Sequence, residues 1–88
     1  MIKITALEAA GDHRLKLTFS DGSSGVWDAY PLFSSRPTVL TEPLLVPTEF
    51  ARAFIEAGAL AWPNGLELAP WTLHEELKEI GLLSRKAA

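Results

Sequence analysis

Ala61-Trp62-Pro63-Asn64-Gly65-Leu66-Glu67-Leu68-Ala69-Pro70-Trp71 gathers two tryptophans, two prolines and the only asparagine of the chain into eleven residues. Neither helical nor strand periodicity accounts for such a run, but its letters read as a backbone plan. Pro63 removes a main-chain donor and so ends strand pairing after Trp62. Asn64-Gly65 accepts positive φ and makes a tight turn at little cost. Trp62 then locks that turn to the core, and Pro70 opens a helix. This reading explains every letter except Glu67. A competing functional reading makes Trp71, Asn64 and Glu67 a shallow groove for a partner.

Downstream, the pattern is helical. Thr72 and Glu75 have the spacing of a capping box. Leu73, Leu77 and Ile80 share one face, and Gly81 is a natural stop. Residues 84–88 are expected to fray as a tail, leaving residues 1–83 as one compact domain. Upstream, Thr48 to Ala57 is ambiguous. Phe50 and Phe54 lie four apart among good helix formers, which favours a helix. The same letters after Phe50 also suit a strand that turns at Gly58 into Ala59 to Trp62.

The N-terminal half reads as strands. Leu15, Leu17 and Phe19 alternate with Arg14, Lys16 and Thr18, the period of a half-buried strand. Ser20-Asp21-Gly22 is a hairpin signal, so residues 23–28 or 29 form the return strand. The loop length fixes which face carries Trp27. A two-residue loop sends it outward, whereas a three-residue loop with Gly22 as a bulge pairs it with Leu15 on the core face. Burying an indole is worth several kcal/mol on area scaling, on the order of 25 cal/mol per Å², so the bulge is expected. Residues 2–9 form a first strand, with Ile2, Ile4 and Ala6 opposite Lys3, Thr5 and Leu7. Tyr30-Pro31-Leu32-Phe33 makes one turn. Pro37, Pro43 and Pro47 forbid a long element over residues 34–49, and Val39-Leu40 and Leu44-Leu45-Val46 are expected to pin this connection to the core.

Composition narrows the function classes. The chain has 88 residues, 48% hydrophobic and 22% charged, with a net charge of −3. A domain this small buries about 60% of its unfolded surface, so modest stability or self-association is expected. The eight Lys and Arg residues are scattered, without the dense positive field that nucleic acid demands. There is no cysteine, which removes disulfides, thiolate catalysis and Cys-type zinc sites. The N-terminus does not read as a signal peptide. No apolar run reaches the ~18 residues of a membrane span. A cytoplasmic protein is expected.

Leu15-Lys16-Leu17-Thr18-Phe19-Ser20-Asp21-Gly22, with Asp28 a few residues on, resembles the domain-of-unknown-function family 2442 of small bacterial proteins. So does Leu60-Ala61-Trp62-Pro63-Asn64-Gly65-Leu66-Glu67-Leu68-Ala69-Pro70, followed by Leu73. The likeness runs from about Ile2 to Leu77; one departure is Glu67, where the family commonly has Asp. The resemblance implies an α+β domain, with an antiparallel sheet of about five strands and one C-terminal helix. It implies that residues 51–57 and 59–62 form a hairpin turning near Gly58, so that Phe50 ends a short turn. It marks Asp21, Gly22, Asp28, Trp62, Pro63, Asn64, Gly65, Glu67, Pro70 and Leu73 as motif residues, structural or partner-binding. Family members are often small proteins paired with another small protein and suspected of being antitoxin-like. Some relatives carry a helix-turn-helix domain, which this chain is expected to lack.

Catalytic constellations are not apparent. His74-Glu75-Glu76-Leu77-Lys78 has Lys78 where a zinc-protease helix needs its second histidine. His74 therefore reads as a solvated helix residue, and His13, the only other histidine, falls in a turn. Gly22-Ser23-Ser24-Gly25 is one residue short of a nucleophile elbow and sits in a hairpin. The carboxylates Asp21 and Asp28, and Glu75, Glu76 and Glu79, read as solvated faces. No catalytic, cofactor-binding or metal-binding residue is assigned. The expectation is a non-enzymatic protein-binding or regulatory module. The alternatives are a homo-oligomeric, nucleic-acid-linked regulator presenting Arg14, Lys16 and Arg52 together, or a sensor with a small-ligand pocket lined by tryptophans.

Overall fold

The computed structural model describes residues 1–85. Arg14–Phe19 (β2) and Ser23–Asp28 (β3) form the expected hairpin, and its register is the one the indole demands: Leu15 lies opposite Trp27, and Arg14 opposite Asp28. Gly22 adopts φ +87°, and its N–H donates to the Phe19 carbonyl at 3.0 Å. Trp27 is consequently buried, with Leu15, Leu17 and Phe19 on the same face.

Ile4–Ala9 (β1) pairs with β2, but the expected alternation breaks. Ile4 faces Phe19 while Ala6 faces Thr18, so Thr5 is the extra residue of a bulge. The slip turns Ala6 outward and brings Leu7 opposite Leu17, partly buried. One inserted residue exchanges the faces of everything beyond it.

After Asp28 come a short helix, Tyr30–Ser35 (α1), a 3-10 turn over Glu42–Leu45, and Pro47–Phe50 (α2). Phe33, Leu44 and Phe50 point inward. The expectation that Val39 and Leu40 pin this connection does not hold, since Val39 is 90% exposed. The connection is fixed instead by Thr38, whose Oγ1 accepts from the N–H groups of Leu40 and Thr41, with Thr41 Oγ1 accepting from Thr38 N–H.

The helix-or-strand ambiguity resolves into both. α2 stops at Phe50, and Phe54–Glu56 (β4) pairs with Ala59–Ala61 (β5) around Ala57 (φ +50°) and Gly58 (φ +85°). The Phe50 carbonyl explains the stop. It accepts from Ala53 N–H at 3.2 Å and from the Trp62 indole at 2.9 Å, leaving Phe54 to pair with Ala61.

β5 continues through the Asn-Gly turn into Glu67–Leu68 (β6), and Pro70–Glu79 forms α3. The capping box is absent: Ala69 is the N-cap and makes no side-chain bond. Pro70 starts the helix early and leaves Thr72 two residues inside it, out of capping register. The C-terminus closes as a Schellman motif, with Leu82 N–H on the Leu77 carbonyl and Gly81 N–H on that of Lys78. Ile80, expected on the core face, is 60% exposed because the helix ends before it. Ser84–Arg85 (β7), expected in the tail, pairs with Ser23 and Ser24; residues 86–88 of that expectation lie outside the described residues.

The fold is α+β, as expected, but its strands divide into two antiparallel sheets, β1-β2-β3-β7 and β4-β5-β6. They share one core, in which Phe33 stacks edge-on against both Trp27 and Trp62. The sheets touch where Ile4 N–H donates to the Gly58 carbonyl at 2.8 Å. A Cβ on Gly58 would stand 2.8 Å from Lys3 Cβ, so this seam needs glycine for closeness as well as for φ.

Candidate functional site

The hairpin tip and α3 meet at Asp21. Its Oδ1 accepts from the Ser23 N–H at 3.0 Å and from the Ser23 hydroxyl. Its Oδ2 accepts from His74 Nε2 and Arg85 Nη2, each at 3.0 Å. The Asp21 side chain retains 21% exposure. The Ser23 hydroxyl and N–H, followed by His74, hold its carboxyl well below the usual carboxylate range, against the opposing effect of burial. His74 is buried, not solvated as its helix position suggested, and Phe19 meets its ring edge-on at 5.0 Å.

A serine, a histidine and an aspartate thus converge, but their connectivity is that of a clamp. The Ser23 hydroxyl and His74 Nε2 both bind the carboxylate, and no hydrogen bond joins hydroxyl to imidazole among the described residues. Nucleophilic catalysis by such a trio needs that hydroxyl–imidazole bond. His74 Nδ1 is sealed without a hydrogen-bond partner, 4.0 Å from Glu75 Oε1.

The motif residues fall into separate structural tasks. Gly22 supplies the bulge. Asp28 Oδ1 accepts from Tyr30 N–H at 3.0 Å, starting α1, and Oδ2 lies 3.6 Å from Arg14 Nε. Asp21 and Asp28 sit at opposite ends of the hairpin and do not meet. Trp62 is buried; its own N–H donates to Leu66 and its carbonyl accepts from Gly65, where φ is +99°. Pro63 is exposed in that turn. Asn64 bridges two segments, donating to the Leu40 carbonyl at 2.8 Å and accepting from Leu66 N–H at 3.1 Å. Pro70 begins α3 and Leu73 is core. Glu67 is exposed on β6 and makes no ion pair among the described residues. Trp71 is 64% exposed.

Sequence reasoning missed Ser23, His74, Arg85 and Glu76, whose carboxylate accepts from Trp27 Nε1 at 2.9 Å. Two signals were available. Serine two residues after aspartate is an Asx-turn pattern. His74 lies three residues before Leu77, on the buried helix face.

A second feature lies away from this clamp. An open groove of about 370 Å³ runs between β1 and the segment leading into β4. Leu7 and Ala9 line it from β1, Ala51 and Ala53 from the segment before β4, and the buried Leu15 and Phe50 lie between, while Asp12, His13 and Arg14 make one end polar. β1 is the outermost strand of its sheet. Ala10 N–H donates to the Arg14 carbonyl, so by antiparallel alternation the backbone groups of Leu7 and Ala9 face away from β2 and toward the groove. The strand, ITALEA, contains neither lysine nor proline, and its edge-protecting features are the Thr5 bulge near the seam and Glu8.

Two open antiparallel sheets on one core, a clamped hairpin tip and the Trp-Pro-Asn-Gly turn define a small α+β domain. The chain belongs to the family described as "Protein of unknown function (DUF2442)", which matches residues 4–79. Asp21, Ser23 and His74 lie within that span and Arg85 beyond it. No curated protein and no solved structure matches the chain.

Proposed function

We propose that this domain is a non-enzymatic, cytoplasmic protein-binding module, acting as the antitoxin-like or regulatory partner of another small protein. The observation that carries the reading is the free edge of β1 beside a groove lined partly by Leu7, Leu15 and Phe50 and partly by Asp12, His13 and Arg14. Strand addition at such an edge uses main-chain hydrogen bonds for affinity and alternate side chains for specificity. The Asp21 clamp supports the non-enzymatic part, since the Ser23 hydroxyl and His74 Nε2 both bind the carboxylate and not each other.

The alternatives draw less support. Arg14 lies beside Asp28 and Arg52 beside Glu49, so two of the three cations of a nucleic-acid face are partnered. Trp27 and Trp62 are buried in the core and do not line the groove, so they lend no support to a tryptophan-lined ligand sensor.

The test is affinity capture of the tagged protein from its native host at native expression, with mass spectrometry of what accompanies it. One stoichiometric small protein supports the proposal. A chain that runs alone at every expression level contradicts it.

A further inference from the structure

We propose that the groove between β1 and the segment leading into β4 is the place of an added strand, filled by an extended partner segment with apolar side chains at alternate positions and a lysine or arginine at one end. This rests on the protein-binding reading and specifies the partner.

The geometry begins at the seam. The sheets join at Ile4 and Gly58, and β1 and β4 are the end strands of their respective sheets. The groove lies past this seam, along Leu7 and Ala9 on one side and Ala51 and Ala53 on the other. Leu7 and Ala9 are two apart on one strand, so they share a face, and both present backbone groups to the groove. An incoming strand that pairs with them sets every second side chain over Leu15 and Phe50. Ala9, Ala51 and Ala53 are small and leave room for those side chains. The complement is therefore medium-sized and apolar.

Charge selects the end residue. Asp12 is exposed at the mouth of the groove and makes no ion pair among the described residues. Arg14, the cation nearest in sequence, already lies 3.6 Å from Asp28. The His13 ring is held by the Leu45 carbonyl at 2.8 Å. With a net charge of −3 on the whole chain, the mouth favours a cation on the partner and disfavours an acid.

The probe is a random peptide library displayed on phage, panned against the full chain and against Ala9→Pro and Asp12→Lys chains. Proline at Ala9 removes an edge N–H that no strand of this chain uses, so the fold should tolerate it. The expected peptides alternate apolar residues and carry Lys or Arg at one end. They slow amide exchange at Leu7 and Ala9 by about tenfold or more and fail to bind the Ala9→Pro chain. Asp12→Lys, on an exposed turn, should keep binding while exchanging the cationic preference for an acidic one. Absence of enrichment, enrichment indifferent to Asp12→Lys, or protection at another edge overturns the inference. A natural partner that binds and leaves Leu7 and Ala9 exchange unchanged also overturns it, while leaving the protein-binding reading intact. Failure to capture any partner sinks that reading instead.

Discussion

The Asp21 carboxylate and the His74 imidazole, 53 residues apart in sequence, meet at 3.0 Å and tie the hairpin tip to the C-terminal helix. Arg85 reaches the same carboxylate oxygen from β7. One side chain thereby secures three elements. Its depressed titration ties stability to pH. A carboxylate whose folded pKa lies below its unfolded value of about 3.9 contributes fully above that value and loses its contribution as pH falls toward the folded pKa. Asp21→Asn should lower unfolding free energy by about 1–3 kcal/mol at neutral pH and flatten the decline below about pH 4. Urea titrations from pH 7 to pH 2 check both effects. Parallel pH profiles for the two chains would count against the clamp.

Trp62 joins the family motif to the end of α2. Trp62→Phe keeps most of the apolar surface and removes the bond to the Phe50 carbonyl, so a loss of about 1–2 kcal/mol is expected. Trp62→Ala also opens a cavity among Phe33, Phe50 and the core, with an expected loss of about 3–5 kcal/mol. Chemical denaturation followed by far-ultraviolet dichroism separates the two. A Trp62→Phe chain as stable as the original would mean that the hydrogen bond contributes nothing, and equal losses in the two variants would mean the same of the packing.

Gly25 faces the returning chain after α3. A Cβ there would stand 2.6 Å from the Leu82 carbonyl oxygen, a backbone atom, and 3.2 Å from Leu77 Cδ1. Gly25→Ala should therefore destabilise by about 1–3 kcal/mol through overpacking. Thermal unfolding measures the effect. A neutral result would show that the chain at Leu82 moves away from β3 without cost.

Asn64 holds the Thr38–Thr41 turn through the Leu40 carbonyl. Asn64→Ala should speed amide exchange around Leu40 to Glu42 and in the turn at Leu66, with a global loss of about 1 kcal/mol. Unchanged exchange near Leu40 would confine the role of Asn64 to its own turn.

Local pattern carried the hairpin. Leu15, Leu17 and Phe19 alternate without interruption, and Gly22 together with the volume of Trp27 selects a single register. The Asn64-Gly65 turn and the Pro70 start were legible for the same reason, because each residue acts on its own backbone. The end of α2 was not legible from propensity, because the group that competes for the Phe50 carbonyl is an indole twelve residues away. The resemblance supplied what propensity lacked. The bulge at Thr5 carries no glycine to mark it, so Ala6 and Leu7 were placed on the wrong faces. The clamp escaped because Asp21 and His74 each look solvated within their own segments, and only the packing of α3 on the hairpin joins them.

The central claim is that the free edge of β1 receives a partner strand. The most direct test runs affinity capture from the native host with the original chain and with Ala9→Pro side by side, after thermal unfolding confirms that both are folded. The account predicts one stoichiometric protein with the original chain and none with Ala9→Pro. Equal recovery of the same protein by both chains would contradict it.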